Sequence, residues 1–193
     1  FYKWKCESGF VYKMALAFAF AGVTGICAQL RVYLPFTPVP ITGQVFAVLL
    51  CAVVLGRWYG GLSQVVYTAI GVMWIPWFAP KTGMSAFSSG GVEIIYGATF
   101  GYIIGFIVAA FVIGWITDSY VKARKIQAMM PIFLLGIGII YLFGAVWLGY
   151  VLNIGIQRAV VLGVVPFIAV DIVKAIATSF IATAVVPKER YCH

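Results

Sequence analysis

The stretch from Ile94 to Ile116, IIYGATFGYIIGFIVAAFVIGWI, contains no charged residue and decides the fold class of this protein. A helix needs about 20 consecutive apolar residues to cross a hydrocarbon core about 30 Å thick. This stretch is long enough for one crossing, and similar stretches recur along the chain. The sequence therefore predicts a membrane protein built from transmembrane helices.

The composition of the whole chain supports this interpretation. Of the 193 residues, 64% are hydrophobic and 9% are charged, and the mean hydropathy is +1.07. Soluble domains carry about 25% charged residues, so this chain cannot cover a water-facing surface. The polar and apolar residues also do not alternate as they do in the strands of a transmembrane β-barrel. We predict one all-α integral membrane domain over residues 1–193.

Six apolar stretches predict a compact bundle of six transmembrane helices with short loops. The predicted spans are approximately 11–30, 41–55, 62–78, 94–116, 131–152 and 166–186, between tails at 1–10 and 187–193. Pro131 and Pro166 are expected in the first turns of the last two helices, where the missing N–H is tolerated. Glu93 is expected at the N-terminus of the fourth helix, where the helix dipole favours a carboxylate.

A proline-rich segment, LPFTPVP at positions 34–40, joins the first two predicted spans. Prolines at this density are incompatible with a regular helix. Non-helical backbone at membrane depth is tolerated only where protein buries it or where it lines a water-filled cavity. The segment is therefore predicted to be a structured outer loop that caps the bundle or forms a cavity wall.

The distribution of Lys and Arg predicts the orientation in the membrane. Six spans place both termini on one side of the membrane. That side would carry nine basic residues: Lys3, Lys5, Lys13, Arg57, Lys122, Arg124, Lys125, Lys188 and Arg190. The other side would carry three: Arg31, Lys81 and Arg158. Because cytoplasmic loops carry the Lys/Arg excess, both termini are predicted to be cytoplasmic. The net charge of +8 reflects this bias, and no nucleic-acid partner is expected.

Asp171 and Lys174 are the only charged residues deep within a predicted span. Their spacing places both side chains on one face of a helix. Charged side chains are costly in hydrocarbon, so such residues face the protein interior and need partners. Two interpretations stay open: an ion pair that holds the helix in the bundle, or a site for a small polar ligand with both N–H and C=O groups.

Thr42 and Gln44 lie where the second helix is predicted to begin. Each could cap the helix or satisfy the loop backbone, and Gln44 could instead hydrogen-bond a ligand beneath the proline-rich loop. Phe36 and Thr37, within that loop, are further candidates for ligand contact.

Aromatic residues gather toward the outer end of the third predicted span, namely Tyr67, Trp74, Trp77 and Phe78. They are typical of an aromatic belt at the membrane interface. Tyr67 and Phe78 are alternatively candidates for lining a ligand pocket.

Small residues recur at helical spacing in the first predicted span: Ala15, Ala17, Ala19, Ala21, Gly22 and Gly25. Small side chains let another helix approach closely. They serve either packing within the bundle or docking of a partner subunit.

The sequence carries no signature of catalysis. The single histidine is His193, at the end of the chain, and no Gly-Lys-Ser/Thr run typical of a P-loop is present. The cysteines lack the spacing of a metal site. We therefore expect no enzymatic activity in this chain, and no metal or cofactor.

Several motifs resemble those of the BioY family, the biotin-specific S components of energy-coupling-factor (ECF) transporters. They are LPFTPVPITGQ at 34–44, GLSQ at 61–64, GYIIGF at 101–106, and the block at 162–175 with its pattern Pro-Phe-x-x-x-Asp-x-x-Lys-Ala. The resemblance extends from about Met14 to Val185. The segment GATFGY at 97–102 departs from the Gly-Pro-Thr-Gly-Gly-Tyr expected of the family, and the loop at 81–93 also differs.

The resemblance implies a subunit in a prokaryotic cell membrane that captures biotin from outside for ATP-driven uptake. A coupling subunit and two ATPase subunits would supply the energy, and the first-helix residues Ala15, Ala17, Ala19 and Ala21 would contact the coupling subunit. Asp171 would accept from the ureido N–H groups of biotin, and Lys174 would donate to the ureido carbonyl or pair with the carboxylate. The alternative is a solitary facilitator or channel for biotin or another small vitamin that needs no ATPase.

Overall fold

The protein is helical in a computed structural model that describes residues 9–81 and 83–186. The α-helices are α1 (Phe10–Gln29), α2 (Gln44–Met73), α3 (Phe100–Ser119), α4 (Ile126–Val151), α5 (Ile156–Gly163) and α6 (Ile168–Val185). Between them lie the 3-10 helices Val92–Tyr96, Val121–Arg124 and Val165–Phe167, and the strands β1 (Arg31–Val32) and β2 (Ile41–Thr42). The predicted C-terminal tail lies outside the described residues, as does the predicted N-terminal tail except for Gly9 and Phe10, where α1 begins.

Within the described residues, five helical segments are long and apolar enough to cross a membrane. They are Phe10–Gln29, Gln44–Met73, Phe100–Ser119, Ile126–Val151 and Ile156–Val185. The prediction of a multi-pass α-helical membrane protein is therefore confirmed. The difference in number from the six predicted spans lies in α2, which contains most of the second and of the third. The third span was predicted to continue to Phe78, whereas α2 ends at Met73.

Helix α2 doubles back on itself at Gly56. This residue has φ +77° and ψ −175°, a conformation that glycine adopts readily. A straight helix would separate Gln44 and Tyr67 by about 34 Å, yet the Gln44 side-chain amide donates to the Tyr67 hydroxyl over 2.8 Å. Gly60 likewise lies directly against Ala52. The segments 44–55 and 57–73 are therefore antiparallel neighbours.

A carboxylate from α3 satisfies the start of the second segment of α2. Asp118 Oδ2 accepts a hydrogen bond from the Arg57 backbone N–H at 2.9 Å. First-turn N–H groups of a helix lack partners within the helix, and a negative charge is favoured there. This contact lets the helix resume immediately after Gly56, whereas the predicted spans leave residues 56–61 between two helices.

Two predicted helix starts differ from the structure. Helix α4 begins at Ile126, so Pro131 lies inside it rather than in its first turn. The intervening Gln, Ala and Met residues favour helix, and Met129 is fully buried in the core. Helix α3 begins only at Phe100. The 3-10 helix before it ends at Tyr96, and the extended backbone of Gly97 interrupts the helical run. Glu93 therefore lies in that exposed turn and not at the α-helix N-terminus.

The proline-rich segment is part of a small β-hairpin. Strands β1 and β2 pair antiparallel, with Arg31 opposite Thr42 and Val32 opposite Ile41. The hairpin and the segment 74–99 lie at the same end of the molecule, which we call the hairpin end. The second helix consequently starts at Gln44, after β2, and not at Ile41.

Helices α2 and α3 form the centre of the bundle, with α1 packed on α2 and with α4 packed on α3. Helix α6 packs against both α2 and α4. In α1, Ala17 and Ala21 are fully buried within the molecule, whereas Ala15 and Ala19 are exposed. The small residues of α1 thus pack within the bundle on one face, and the other face is left for lipid or another protein.

Candidate ligand-binding site

Asp171 and Lys174 form an ion pair near the start of α6. The Nζ atom of Lys174 lies 2.6 Å from Asp171 Oδ1. Asp171 is 3% exposed, so its carboxylate is almost withdrawn from solvent. Proline at 166 starts the 3-10 turn that leads into α6, which places Asp171 in the first turn of the helix, where its charge is favoured.

Tyr141 of α4 completes this polar centre. Its hydroxyl donates to Asp171 Oδ2 over 2.7 Å, so both carboxylate oxygens have a partner. Tyr141 is not among the candidates predicted from the sequence. The sequence shows only that Tyr141 places a hydroxyl group in the middle of an otherwise apolar span. This alone does not distinguish a side chain at an internal site from one that faces lipid.

A cavity lies against this polar centre at the hairpin end of the bundle. About 590 Å³ of space is free of protein atoms there, a volume that includes the solvent at its open mouth. Its lining is formed by Val39, Pro40, Thr42, Gln44, Val45, Phe78, Ala79, Thr99, Tyr102, Ile103, Phe106, Ile140, Tyr141, Phe167, Asp171 and Lys174. Residues from the hairpin, from α2, α3, α4 and α6, and from the segment 74–99 are thus brought together around one space.

Gln44, the first residue of α2, and Thr42, in β2, line the same cavity as the ion pair. The Thr42 hydroxyl donates to Gln44 Oε1 at 3.0 Å, and Gln44 Nε2 donates to the Tyr67 hydroxyl. Tyr67 is fully buried and does not line the cavity. Its hydroxyl instead orients the Gln44 amide from behind.

Aromatic and aliphatic side chains form most of the remaining wall. Phe78, Phe106 and Phe167 are buried and present their rings to the cavity. Tyr102 turns its hydroxyl away to donate to the Gly163 carbonyl at 2.7 Å. The site therefore combines one charged, hydrogen-bonding patch with apolar surfaces suited to a flat or folded ring.

Phe36 and Thr37 lie elsewhere. Phe36 is 59% exposed and is not part of the cavity lining. The Thr37 hydroxyl donates to the Leu162 carbonyl at 2.7 Å, which joins the hairpin to the end of α5. Neither residue lines this cavity, although both were predicted to contact a ligand. The loop directs Phe36 outward and Thr37 toward α5.

A second cavity adjoins the first. The two share Pro40, Ala79 and Thr99 in their linings. The second is lined by charged and hydroxyl groups as well, among them Lys81, Glu93 and Ser88. It forms a polar approach between the surface and the buried ion pair.

The paired charges determine which groups the site can hold. Asp171 offers acceptor capacity and Lys174 offers further N–H donors, and their charges compensate each other. A neutral ligand group with adjacent N–H and C=O functions would satisfy both. Within residues 9–81 and 83–186, no group of three or more His, Cys, Asp or Glu side chains could hold a metal ion.

This fold and this cavity define the class: a multi-pass α-helical membrane protein with a cavity at one end of its bundle. The sequence model of the BioY family matches residues 4–190. The chain therefore belongs to the BioY family, which confirms the resemblance seen in its sequence motifs.

Individual relatives agree with this assignment. The chain is 40% identical to the probable biotin transporter BioY of Methanothermobacter thermautotrophicus over 72% of this chain and 88% of the relative. It is 39% identical to the probable biotin transporter BioY of Pyrococcus horikoshii over 92% and 94%, and 37% identical to the biotin transporter BioY of Thermotoga maritima over 77% and 82%. The crystal structure of the S-component for biotin from an ECF-type ABC transporter superposes with a TM-score of 0.79, at 25% identity and 90% coverage of both chains.

Proposed function

We propose that this protein binds biotin from outside the cell as the substrate-capture subunit of an ECF-type transporter. The observation that carries this proposal is the ion pair between the buried Asp171 and the half-buried Lys174 in a largely apolar cavity. Its relatives carry the name of biotin transporters, and the solved structural neighbour is a biotin S-component.

The chemistry of biotin matches the cavity. Its ureido ring carries two N–H donors and one carbonyl acceptor side by side, and its sulfur ring is apolar. Asp171 would accept from a ureido N–H, and Lys174 would donate to the ureido carbonyl. The carboxylate of biotin is a poorer partner for Lys174, because it would come close to the negatively charged Asp171.

Tyr141 and the aromatic wall would contribute orientation. With its hydroxyl on Asp171 Oδ2, Tyr141 keeps the carboxylate aligned toward the cavity. Phe78, Phe106 and Phe167 would pack against the sulfur ring. A ligand that lacks the ureido group would leave buried polar atoms unpaired, which is strongly unfavourable.

We also propose six membrane crossings with both termini in the cytoplasm. The reversal at Gly56 supports this count, because it divides α2 into two antiparallel segments of the bundle. The excess of Lys and Arg on the side opposite the hairpin end supports the orientation. The cavity would then open toward the outside, where biotin is captured.

Uptake is proposed to depend on a coupling subunit and two ATPase subunits. The structural neighbour belongs to an ECF-type ABC transporter, and the exposed Ala15 and Ala19 of α1 leave a smooth face for a partner helix. Cells that express this chain with and without such subunits test this part of the proposal. Biotin uptake that persists without any of them would instead identify a solitary facilitator.

Calorimetric titration of the purified protein with biotin tests the substrate. We expect saturable, high-affinity binding, and binding of dethiobiotin as well, since this precursor keeps the ureido ring but lacks the sulfur ring. Dethiobiotin should bind more weakly, because part of the apolar contact is lost. Absence of biotin binding by folded protein would reject the proposed function.

A further inference from the structure

Gln29, the last residue of α1, is tied by hydrogen bonds to the segment that covers the cavity, although it lines neither cavity itself. Its Nε2 atom donates to the Trp77 carbonyl at 3.0 Å and to the Gly25 carbonyl at 3.1 Å, and it also lies 3.4 Å from the Phe78 carbonyl. Its Oε1 atom accepts from the Phe87 N–H at 3.0 Å. One side-chain amide thus serves both ends of the segment 77–87.

The segment that Gln29 holds forms part of the cavity wall. Phe78 and Ala79 line the cavity, and the Phe78 N–H donates to the Ser89 carbonyl at 3.0 Å. We call the described residues of this segment, 77–81 and 83–91, the cover. Because Phe78 belongs to the cover, the position of its ring depends on the same backbone that Gln29 binds.

The backbone at the far end of the cover is in an unfavourable conformation that Gln29 supports. Phe87 has φ +54°, which is uncommon for a residue with a bulky side chain. Its N–H donates to Gln29 Oε1, so the amide stabilises this conformation directly. Such backbone persists only where the surroundings hold it in place.

Arg31 adds a second tie between the same two elements. Its Nη2 atom donates to the Met84 carbonyl at 2.7 Å, and its Nη1 atom donates to Gln29 Oε1 at 3.4 Å. Tyr33 donates to the Pro80 carbonyl. The end of α1 and the start of the hairpin therefore hold the cover at its beginning, middle and end.

We propose that Gln29 is a positioning residue for ligand binding: by fixing the cover to the end of α1, it determines how long the ligand is retained without touching it. The proposal rests on the proposed function, because the ligand used to test it is biotin. The polar centre on α4 and α6 lies on other elements, so loss of the amide should leave it intact. The expected effect is therefore faster release and not loss of recognition.

The test compares Gln29→Met with Gln127→Met in the full-length protein, reconstituted in lipid nanodiscs. Methionine has a similar length and shape to glutamine but lacks the amide, and Gln127 is an exposed glutamine at the start of α4. We expect release of radiolabelled biotin to be about tenfold faster in Gln29→Met, with a smaller change in the association rate. Amide hydrogen exchange in 83–91 should accelerate in the ligand-free protein, whereas Gln127→Met should behave as wild type.

Arg31→Met provides a second variant should Gln29→Met not fold. We expect it to show smaller increases in the rate of biotin release and in the rate of amide exchange in 83–91. Wild-type release and exchange in whichever of these variants folds would overturn the proposal. So would a lower unfolding temperature without faster exchange in 83–91, because Gln29 would then be a general structural residue. If wild-type protein does not bind biotin, the proposed function fails, and the exchange measurement still decides whether Gln29 holds the cover.

Discussion

At the scale of single residues, the ion pair of Asp171 and Lys174 sets the chemical character of the cavity. A lone charge in the membrane interior is costly, and pairing reduces this cost. The pair also leaves hydrogen-bonding capacity directed toward the cavity. A structural ion pair and a ligand site are therefore compatible in one arrangement, and measurement of binding in variants separates their contributions.

Asp171→Asn and Lys174→Ala are expected to weaken biotin binding by about 10- to 100-fold each, since hydrogen bonds to charged groups contribute about 1.5–3 kcal/mol. Titration calorimetry measures the change. Lys122→Ala, at an exposed position outside the cavity, should bind as wild type. Wild-type affinity in both cavity variants would show that the pair is purely structural.

Tyr141→Phe removes the hydroxyl that holds Asp171 Oδ2 and keeps the ring. Biotin affinity should fall by about 2- to 10-fold, because the carboxylate loses one partner and becomes less well oriented. Tyr150→Phe, on the same helix and 78% exposed, is the matched control. Equal affinities of the two variants would remove Tyr141 from the site.

At the scale of elements, the reversal in α2 depends on one glycine and one carboxylate. Gly56 adopts a positive φ, and a Cβ at this position would overlap with Asp118 Oδ2. Asp118 cannot move away without releasing the Arg57 N–H that it binds. The turn between the two segments of α2 is thereby constrained from both sides.

Gly56→Ala should lower the stability of the bundle by at least about 1–2 kcal/mol, since a side chain is unfavourable at positive φ. A thermal unfolding assay in detergent measures the effect. Gly138→Ala serves as the control, because Gly138 is exposed in α4 and a Cβ added there would meet no atom within 4 Å. That substitution should be neutral or slightly stabilising. Unchanged stability in Gly56→Ala would argue against the reversal at this residue.

The hairpin is joined to α5 through Thr37, whose hydroxyl donates to the Leu162 carbonyl. Thr37→Val keeps the shape of the side chain and removes this bond, so biotin affinity should fall by about 2- to 10-fold through a less well held hairpin. In Thr183→Val the lost hydroxyl bonds only within α6, to the Ser179 and Phe180 carbonyls. This control should bind biotin with wild-type affinity. Wild-type affinity in Thr37→Val as well would show that the hydrogen bond from Thr37 to Leu162 does not contribute to binding.

At the scale of the whole molecule, the bundle separates a binding end from a basic end. The hairpin end carries the cavity and its polar approach. The opposite end carries Arg57 and the basic turn Val121–Arg124. This asymmetry is the structural basis of the proposed orientation.

Cysteine accessibility in intact cells tests that orientation. With the native cysteines replaced, a membrane-impermeant thiol reagent should label a Lys81→Cys variant and should not label a Lys122→Cys variant until the cells are permeabilised. Both positions are exposed, so burial does not protect either one. The reverse pattern would place the cavity on the cytoplasmic side.

What the sequence predicts well follows from local rules. Hydropathy identifies the apolar helices, because each membrane-crossing segment must be long and apolar and must make its backbone hydrogen bonds within itself. The spacing of Asp171 and Lys174 places them on one face, since helix geometry fixes neighbours three positions apart. Proline density likewise predicts a structured, non-helical loop at 34–40.

What only the tertiary structure decides depends on packing between distant segments. Tyr141 meets Asp171 because α4 packs on α6, and Gln44 meets Tyr67 because α2 turns back at Gly56. Thr37 points toward α5 and not into the cavity, since irregular backbone has no period from which side-chain direction follows. The sequence by itself therefore determined the membrane fold and the paired charges. The cavity and the contacts that hold its wall in place arise between segments far apart in the chain, because they depend on packing.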